Sequence, residues 1–381
     1  MRIYFDNAAT TPLCEEVIQV MTTCLRDLYG NPSSIHADGR KARAAIEEAR
    51  KTIAGHLNAS IGEIFFTSGG TESNNMALKC AVRDLGIQRI ISCKTEHHCV
   101  LHTLEALEKS GLISIDYVST DNKGHIDLEA LENLLQDGQK KTLVSLMHAN
   151  NEIGTMIPLA KVSALCETHG AYFHSDTVQT AGHFPIDVED VKIHFLSGSA
   201  HKFHGAKGCG FIYINGEAML KPFIDGGSQE RNMRGGTENI AGILGLAKAF
   251  DLANTELQER EKHIREIRSY FIHQLQDQLE DIQFNGDYDG QCLYTVLNVS
   301  FPPSPKSELL LLNLDIMGIS ASGGSACTSG AEAGSHVLQA IGTDPQRKSI
   351  RFSFSHYNTK NEVDQVMEKL KSIVASKQLV S

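Results

Sequence analysis

Four short segments of this chain hold residue types that could act together chemically. Thr67-Ser68-Gly69-Gly70-Thr71-Glu72-Ser73 sets two glycines and a hydroxyl before a stretch of helical pattern, Asn74 to Arg83. Glycines let the backbone turn tightly, and the free N–H groups of a helix start carry partial positive charge that suits a phosphate. An ordinary glycine turn with a threonine cap fits the same letters. Asp176 closes the run His174-Ser175-Asp176, where a carboxylate either caps the next helix or serves a site. Lys202 stands in Ser199-Ala200-His201-Lys202-Phe203, just after a β-rich run and among small residues. A lysine in that position can lose its proton and form a Schiff base, although alone it would read as a surface residue. Cys327 lies in Gly323-Gly324-Ser325-Ala326-Cys327-Thr328-Ser329-Gly330, small and polar, unlike the apolar surroundings of Cys80 or Cys209. Such a setting predicts an exposed thiol that can travel. The order matters more than any one part: a glycine–threonine loop, a strand-end Asp, then Ser-x-His-Lys. A pyridoxal phosphate site requires those parts, namely donors for the phosphate, an acid partner for the pyridine nitrogen and an amine for the aldehyde.

The elements that position these groups follow from pattern. Ile64 to Thr67, Arg89 to Ser92, Ile113 to Val118, Thr142 to Met147, Ala171 to His174 and Ile193 to Leu196 read as buried strands. Helical periods such as Leu128 to Leu135 and Leu159 to Cys166 lie between several of them. That alternation predicts an α/β fold, a mainly parallel sheet flanked by helices, with functional groups at the strands' carboxyl ends. Residues 239 to 280 read as a long charged helical stretch joining two domains. Beyond it Tyr294 to Phe301, a helix from Ser307, Ile350 to Phe354 and a last helix opened by a Thr359/Glu362 capping box suggest a smaller α+β domain.

Composition bounds the partners. A chain of 381 residues, 41% apolar, is long enough for two or three domains with their own cores. A net charge of −11 at pH 7 argues against nucleic acid and anionic membranes as partners. No apolar run approaches the ~18 residues of a membrane span. The start, Met1-Arg2-Ile3-Tyr4-Phe5-Asp6, does not read as an export signal, so a cytoplasmic location is expected. Nine scattered cysteines without a Cys-x-x-Cys pair then read as free thiols.

The chain resembles the NifS/IscS-type cysteine desulfurases, within the fold-type I (aspartate aminotransferase-like) pyridoxal phosphate enzymes. The resemblance runs from Tyr4-Phe5-Asp6-Asn7-Ala8-Ala9-Thr10-Thr11-Pro12 to Ser349-Ile350-Arg351-Phe352-Ser353. Between them it is carried by Tyr29-Gly30-Asn31-Pro32-Ser33-Ser34, Thr95-Glu96-His97, His148-Ala149-Asn150-Asn151-Glu152-Ile153-Gly154, Met233-Arg234-Gly235-Gly236-Thr237 and the Cys327 block. It implies a seven-stranded sheet in a large domain, 15–255, and a small domain, 1–14 with 256–381, that carries Cys327 and Arg351. It implies further that Lys202 holds the cofactor, Asp176 pairs with the ring nitrogen, Gln179 meets the phenolic oxygen, and His97 stacks on the ring and assists proton transfer. Gly70, Thr71, Ser199 and His201 would bind the phosphate, with Thr237 from the second subunit of a homodimer. Asn151 would lie by ring and substrate, and Arg351 would clamp the carboxylate of L-cysteine. Cys327 would take the sulfur as a persulfide, leaving L-alanine, and pass it to an iron–sulfur scaffold or another acceptor.

Three rivals remain at this point. Cys93, His97, His98, Cys99 and His102 crowd ten residues and could suit zinc, although the resemblance implies no metal. A sulfur carrier with a degenerate site would lack the intact Lys202, Asp176 and Cys327. A selenocysteine lyase or another β-eliminating enzyme on the same fold shares both cofactor and substrate skeleton.

Overall fold

The computed structural model describes residues 2–304, 307–324 and 334–374, so Cys327 lies outside the described residues. The strands are β1 (Ile3–Tyr4), β2 (Ile64–Thr67), β3 (Arg89–Ser92), β4 (Ser114–Tyr117), β5 (Thr142–Ser145) and β6 (Tyr172–Asp176). They continue with β7 (Phe195–Ser199), β8 (Gly210–Ile214), β9 (Gln283–Asn285), β10 (Val296–Phe301), β11 (Ile319–Ser320) and β12 (Lys348–Ser353). The helices are α1 (Glu15–Asp27), α2 (Ala37–Leu57), α3 (Gly70–Leu85), α4 (His98–Lys109), α5 (Leu128–Gln136) and α6 (Leu159–Thr168). After them come α7 (Gln229–Asn232), α8 (Ile240–Thr255), α9 (Leu257–Gln278), α10 (Leu310–Ile316), α11 (His336–Ala340) and α12 (Lys360–Val374).

β2 to β8 form one seven-stranded sheet in the order β2-β8-β7-β6-β5-β3-β4. Its neighbours are parallel except around β8, which runs antiparallel to both β2 and β7. β2, β3, β5, β7 and β8 are buried at every position, which is why none of them alternates apolar with charged residues; β7 adds the small residues Ser197-Gly198-Ser199 to its apolar start. One face packs on Ile46, Ile53, Val162 and Phe250, and the other on Met76, Leu78, Cys80 and Leu104. The mainly parallel, helix-flanked sheet is therefore present. The sequence reading omits β8, although Phe211-Ile212-Tyr213-Ile214 carries the β-branched and aromatic signal.

A separate apolar cluster gathers the chain start (Ile3, Phe5), α9 (Phe271, Leu275), β10, β12 (Phe352) and α12 (Val366). Here β12, β10 and β9 make an antiparallel sheet, and β1 pairs in parallel with β11. The long helical stretch divides at Glu256 into α8 and α9. The capping box before α12 is formed: Thr359 N–H donates to the Glu362 carboxylate at 2.8 Å and Glu362 N–H to Thr359 Oγ1 at 3.3 Å.

The parallel strands point their carboxyl ends the same way. The loops that leave those ends carry Gly69-Gly70 after β2, Thr95 to His97 after β3, Met147 to Asn151 after β5, Asp176 at the tip of β6 and Lys202 just past β7.

Candidate active site

These loops meet in one cleft, lined by Gly70, Thr71, His97, Asn151, Asp176, Gln179, Ser199, His201, Lys202 and Arg351. Two glycines shape its anion end. Gly69 has φ +147°, a conformation side chains rarely adopt, and a Cβ on Gly70 would lie 2.4 Å from Val178 Cγ2. No side chain caps the start of α3 at Gly69, so helix N–H donors stay available to an anion. Asp176 accepts from Asn74 Nδ2 (2.7 Å), from Val178 N–H (2.9 Å) and from Ser197 Oγ (3.3 Å). Three donors converging on one buried carboxyl group hold it as an acceptor. Lys202 donates from Nζ to the carbonyls of Ala8 (2.6 Å) and Ala9 (2.9 Å).

The opposite wall comes from the chain start and β12. Arg351 is 1% exposed, and its guanidinium donates to Asp6 Oδ1 (3.0 Å) and to the Asn151 carbonyl (2.9 Å). Its Nε is buried without a partner among the described residues. Ser322 Oγ donates to the same Asp6 oxygen at 2.7 Å. Gln179 Nε2 donates to the Ala8 carbonyl at 3.1 Å. His201 Nδ1 meets Thr10 Oγ1 at 3.2 Å, and burial, then the Lys202 and Lys207 charges, lowers its pKa to about 4. Burial also lowers the pKa of His97, against the attraction of Asp176. An uncapped helix start, a strand-end carboxylate, an amine and an arginine with an unanswered donor are what pyridoxal phosphate and an amino acid carboxylate need. The residues fit that group.

Thr237 is elsewhere. It lines a second cleft with Ser68, Cys209, Glu230, Arg234 and Gly236, and takes no part in the wall around Lys202. Several lining residues were not singled out from sequence: Ala8, Ala9, Asn74, Cys99 and Met147. Only Asn74 had a usable signal, one helical turn after Thr71 in the anion loop. Glu152 was also passed over. It is 1% exposed, accepts from Ser335 Oγ at 2.5 Å, and lies 3.3 Å from where Gly324 would carry a Cβ, so it meets both described ends flanking Cys327. Within the cysteine–histidine cluster, Cys93 Sγ turns to Thr95 Oγ1 at 3.0 Å, while Cys99 Sγ meets His97 Nδ1 at 3.0 Å and the His98 and His102 rings lie 5.1 Å apart. No group of three or more His, Cys, Asp or Glu side chains is placed to hold a metal among the described residues.

Residues 3–366 match the family model described as aminotransferase class-V. The chain is 43% identical to the cysteine desulfurase IscS of Dictyoglomus turgidum, over 100% of this chain and 96% of that protein. It is 42% identical to the putative cysteine desulfurase IscS 1 of Bacillus subtilis, over 98% of each. The chain belongs to the aminotransferase class-V family, as a NifS/IscS-type cysteine desulfurase. Among solved structures, a NifS-like protein superposes on this desulfurase with TM-score 0.90 and 37% identity, covering 98% of this chain and 100% of the other. A second, SspA in complex with cysteine, has TM-score 0.80 and 31% identity and covers 94% and 100%. Enzymes of this family depend on pyridoxal phosphate, and so does this desulfurase.

Proposed function

We propose that the cleft takes L-cysteine, releases L-alanine and leaves the sulfur as a persulfide on Cys327. Lys202 would hold the cofactor by its amine, with Asp176 at the ring nitrogen and Gln179 at the phenolic oxygen. Gly70, Thr71, Ser199 and His201 would take the phosphate. His97 would lie against the ring and Asn151 beside ring and substrate. When bound, the cofactor supplies an electron sink for the substrate's α-carbon. The protein's part is to bind and orient. Arg351 would fix the substrate carboxylate through its guanidinium, and the carbonyls of Ala8 and Ala9 would hold the Lys202 amine when it is not engaged.

The observation that carries this reading is the meeting of Lys202, Asp176, the α3 start and Arg351 in one cleft. Chain connectivity supports Cys327 as the sulfur acceptor. Ser322 and Arg351 exchange backbone hydrogen bonds of 3.2 and 2.7 Å, so the segment that leads to Cys327 departs beside Arg351. From Gly324 to Cys327 is a span of three residues, which covers at most about 10 Å. The cysteine-bound relative is consistent with the substrate class. Nothing in the cleft or among these relatives favours the selenocysteine lyase alternative.

The same reading takes the chain as two domains, 15–255 and 1–14 with 256–381, working as a homodimer in the cytoplasm. An iron–sulfur scaffold or another sulfur acceptor protein would be the recipient. No described helix is long and apolar enough to cross a membrane.

Borohydride reduction of the purified yellow protein followed by peptide mapping tests the cofactor link. Label is expected on Lys202, and label on Lys207 would remove the assignment. In parallel, Cys327→Ser should keep the cofactor and its spectral shift on adding cysteine, yet make almost no alanine or persulfide. Wild-type cysteine turnover in that variant would refute the mechanism.

A further inference from the structure

Along the cleft wall, polar side chains that the reaction scheme leaves unused, Asn74 and Cys99, join two that it uses, Asp176 and His97, into one connected chain. Its hub is Asn74, fully buried on α3. Asn74 Nδ2 lies 2.7 Å from Asp176 Oδ2 and 3.3 Å from Cys99 Sγ, while Asn74 Oδ1 lies 3.1 Å from His174 Nε2. Cys99 Sγ lies 3.0 Å from His97 Nδ1, and the Cys99 backbone N–H donates to the same nitrogen at 3.2 Å.

Hydrogen placement can be worked through from the one group that only accepts. The Asp176 carboxylate requires the Asn74 amide to present NH₂ to it, because two oxygens 2.7 Å apart would repel. The amide oxygen then faces His174, whose Nε2 must donate. His174 Nδ1 is left as acceptor for the Ser145 hydroxyl at 2.8 Å. That is a neutral imidazole, as a fully buried ring whose pKa burial lowers to about 4 must be. The second Asn74 hydrogen goes to Cys99 Sγ. Burial holds Cys99 as a thiol, its pKa pushed up to about 12, so its own S–H is left to donate. His97 Nδ1 is the acceptor at hand. Two donors on Nδ1 leave no room for a hydrogen there.

We propose that Cys99 is a positioning residue that, with its own backbone N–H, locks His97 as the neutral tautomer carrying its hydrogen on Nε2. The lock ties the residue expected against the cofactor ring to the carboxylate expected at the ring nitrogen, through two intervening side chains. His97 is then a hydrogen-bond donor from Nε2 in the resting enzyme, with Nδ1 closed as a base. The consequence for turnover rests on the desulfurase reading, whereas the tautomer does not. Asp176, Lys202, His336, His102 and His98 are the other titratable groups that face His97. None of them meets Nδ1 at hydrogen-bond distance among the described residues. The Thr71 hydroxyl also lies near Cys99 and offers the thiol a competing partner.

Long-range ¹H–¹⁵N correlation on histidine-labelled protein, with cofactor and without substrate, reads the tautomer directly. A His97→Asn spectrum identifies the signals. At neutral pH the expected pattern is an unprotonated Nδ1 and a protonated Nε2, and a hydrogen on Nδ1 overturns the proposal. Cys99→Ala should move the His97 titration midpoint upward, because one of two donors opposing protonation of Nδ1 is gone. Cys99→Ser, which keeps an O–H donor, should restore the wild-type midpoint. Equal midpoints in wild type and Cys99→Ala would show that the thiol serves Thr71 instead, which also overturns it. Should Cys99→Ala fail to fold, Cys99→Val deletes the donor without opening a cavity and is read the same way. Because the readout needs no turnover, a failed tautomer and a failed desulfurase assignment are distinguishable.

Discussion

An arginine that is 1% exposed should have its nitrogens answered, and Arg351 Nε has no partner among the described residues. Asp6 and the Asn151 carbonyl hold the outer nitrogens, so the fork is fixed in place before substrate arrives. A carboxylate bound at that fork adds no cost of ordering a long side chain. Arg351→Lys keeps the charge but loses the planar fork and the Nε donor. A charge-assisted hydrogen bond contributes about 1.5–3 kcal/mol, so KM for cysteine should rise roughly ten- to a hundredfold, with kcat changed less. Steady-state alanine formation measures both. An unchanged KM would place the substrate carboxylate elsewhere. The residue was legible in sequence only through the family block around it. Its burial, its Asp6 partner 345 positions away and its open donor are properties of the fold.

The elements were legible to different degrees for physical reasons. Strands announce themselves as short apolar runs, and six of the seven strands of the main sheet could be read that way, but β4, expected to be buried, lies at the sheet edge and is half-buried to exposed along its length. β8 was lost because it follows directly on the glycine-rich Lys202 segment and runs against its neighbours, which the βαβ alternation does not lead one to expect. The polar chain Asp176–Asn74–Cys99–His97 joins β6, α3 and the start of α4, and only its His97–Cys99 link is local in sequence. The glycine loop was legible as a turn, but the reason Gly70 must be glycine lies on another loop, in Val178. A Cβ there would sit 2.4 Å from Val178 Cγ2. Gly70→Ala must therefore push the start of α3 away from the β6 loop, and overpacking of this kind costs about 1–3 kcal/mol. The expected result is a lower melting temperature and weaker cofactor retention, measured by calorimetry and by absorbance after gel filtration. A variant with wild-type values in both would mean that Val178 simply turns aside.

Two properties belong to the whole molecule. His148, His174 and His183 are buried so deeply that burial lowers each pKa to about 4, whereas an unfolded chain protonates them near 6.5. Between those values the unfolded state binds more protons, so stability falls as the pH drops, by up to ~1.4 kcal/mol per pH unit for each ring. Glu96 acts the other way: burial raises its pKa, so above 4.5 the unfolded chain gives up a proton that the folded chain keeps. His194, His201 and His204, also lowered to about 4, and His356, lowered to about 3, act in the same direction, so the rings outweigh Glu96 and the melting temperature should decline from pH 6.5 to 4; a flat or rising curve would overturn this balance. The second property is assembly. Thr237 lies in a cleft apart from Lys202, yet belongs to a block expected to reach a phosphate. In the proposed homodimer, a second copy would bring Thr237 to the phosphate. Leu25, Tyr29 and Ile35 are 72%, 80% and 91% exposed, apolar surface that a partner could cover. If the site is shared, Lys202→Ala and Thr237→Ala damage different halves of it. A mixed dimer then holds one site with both defects and one with neither. Differently tagged chains, mixed and purified as heterodimers, should recover about half of wild-type activity, as two-fold symmetry requires. A heterodimer no more active than the mean of its parents, or a fully active monomer in sedimentation, would show that each chain completes its own site.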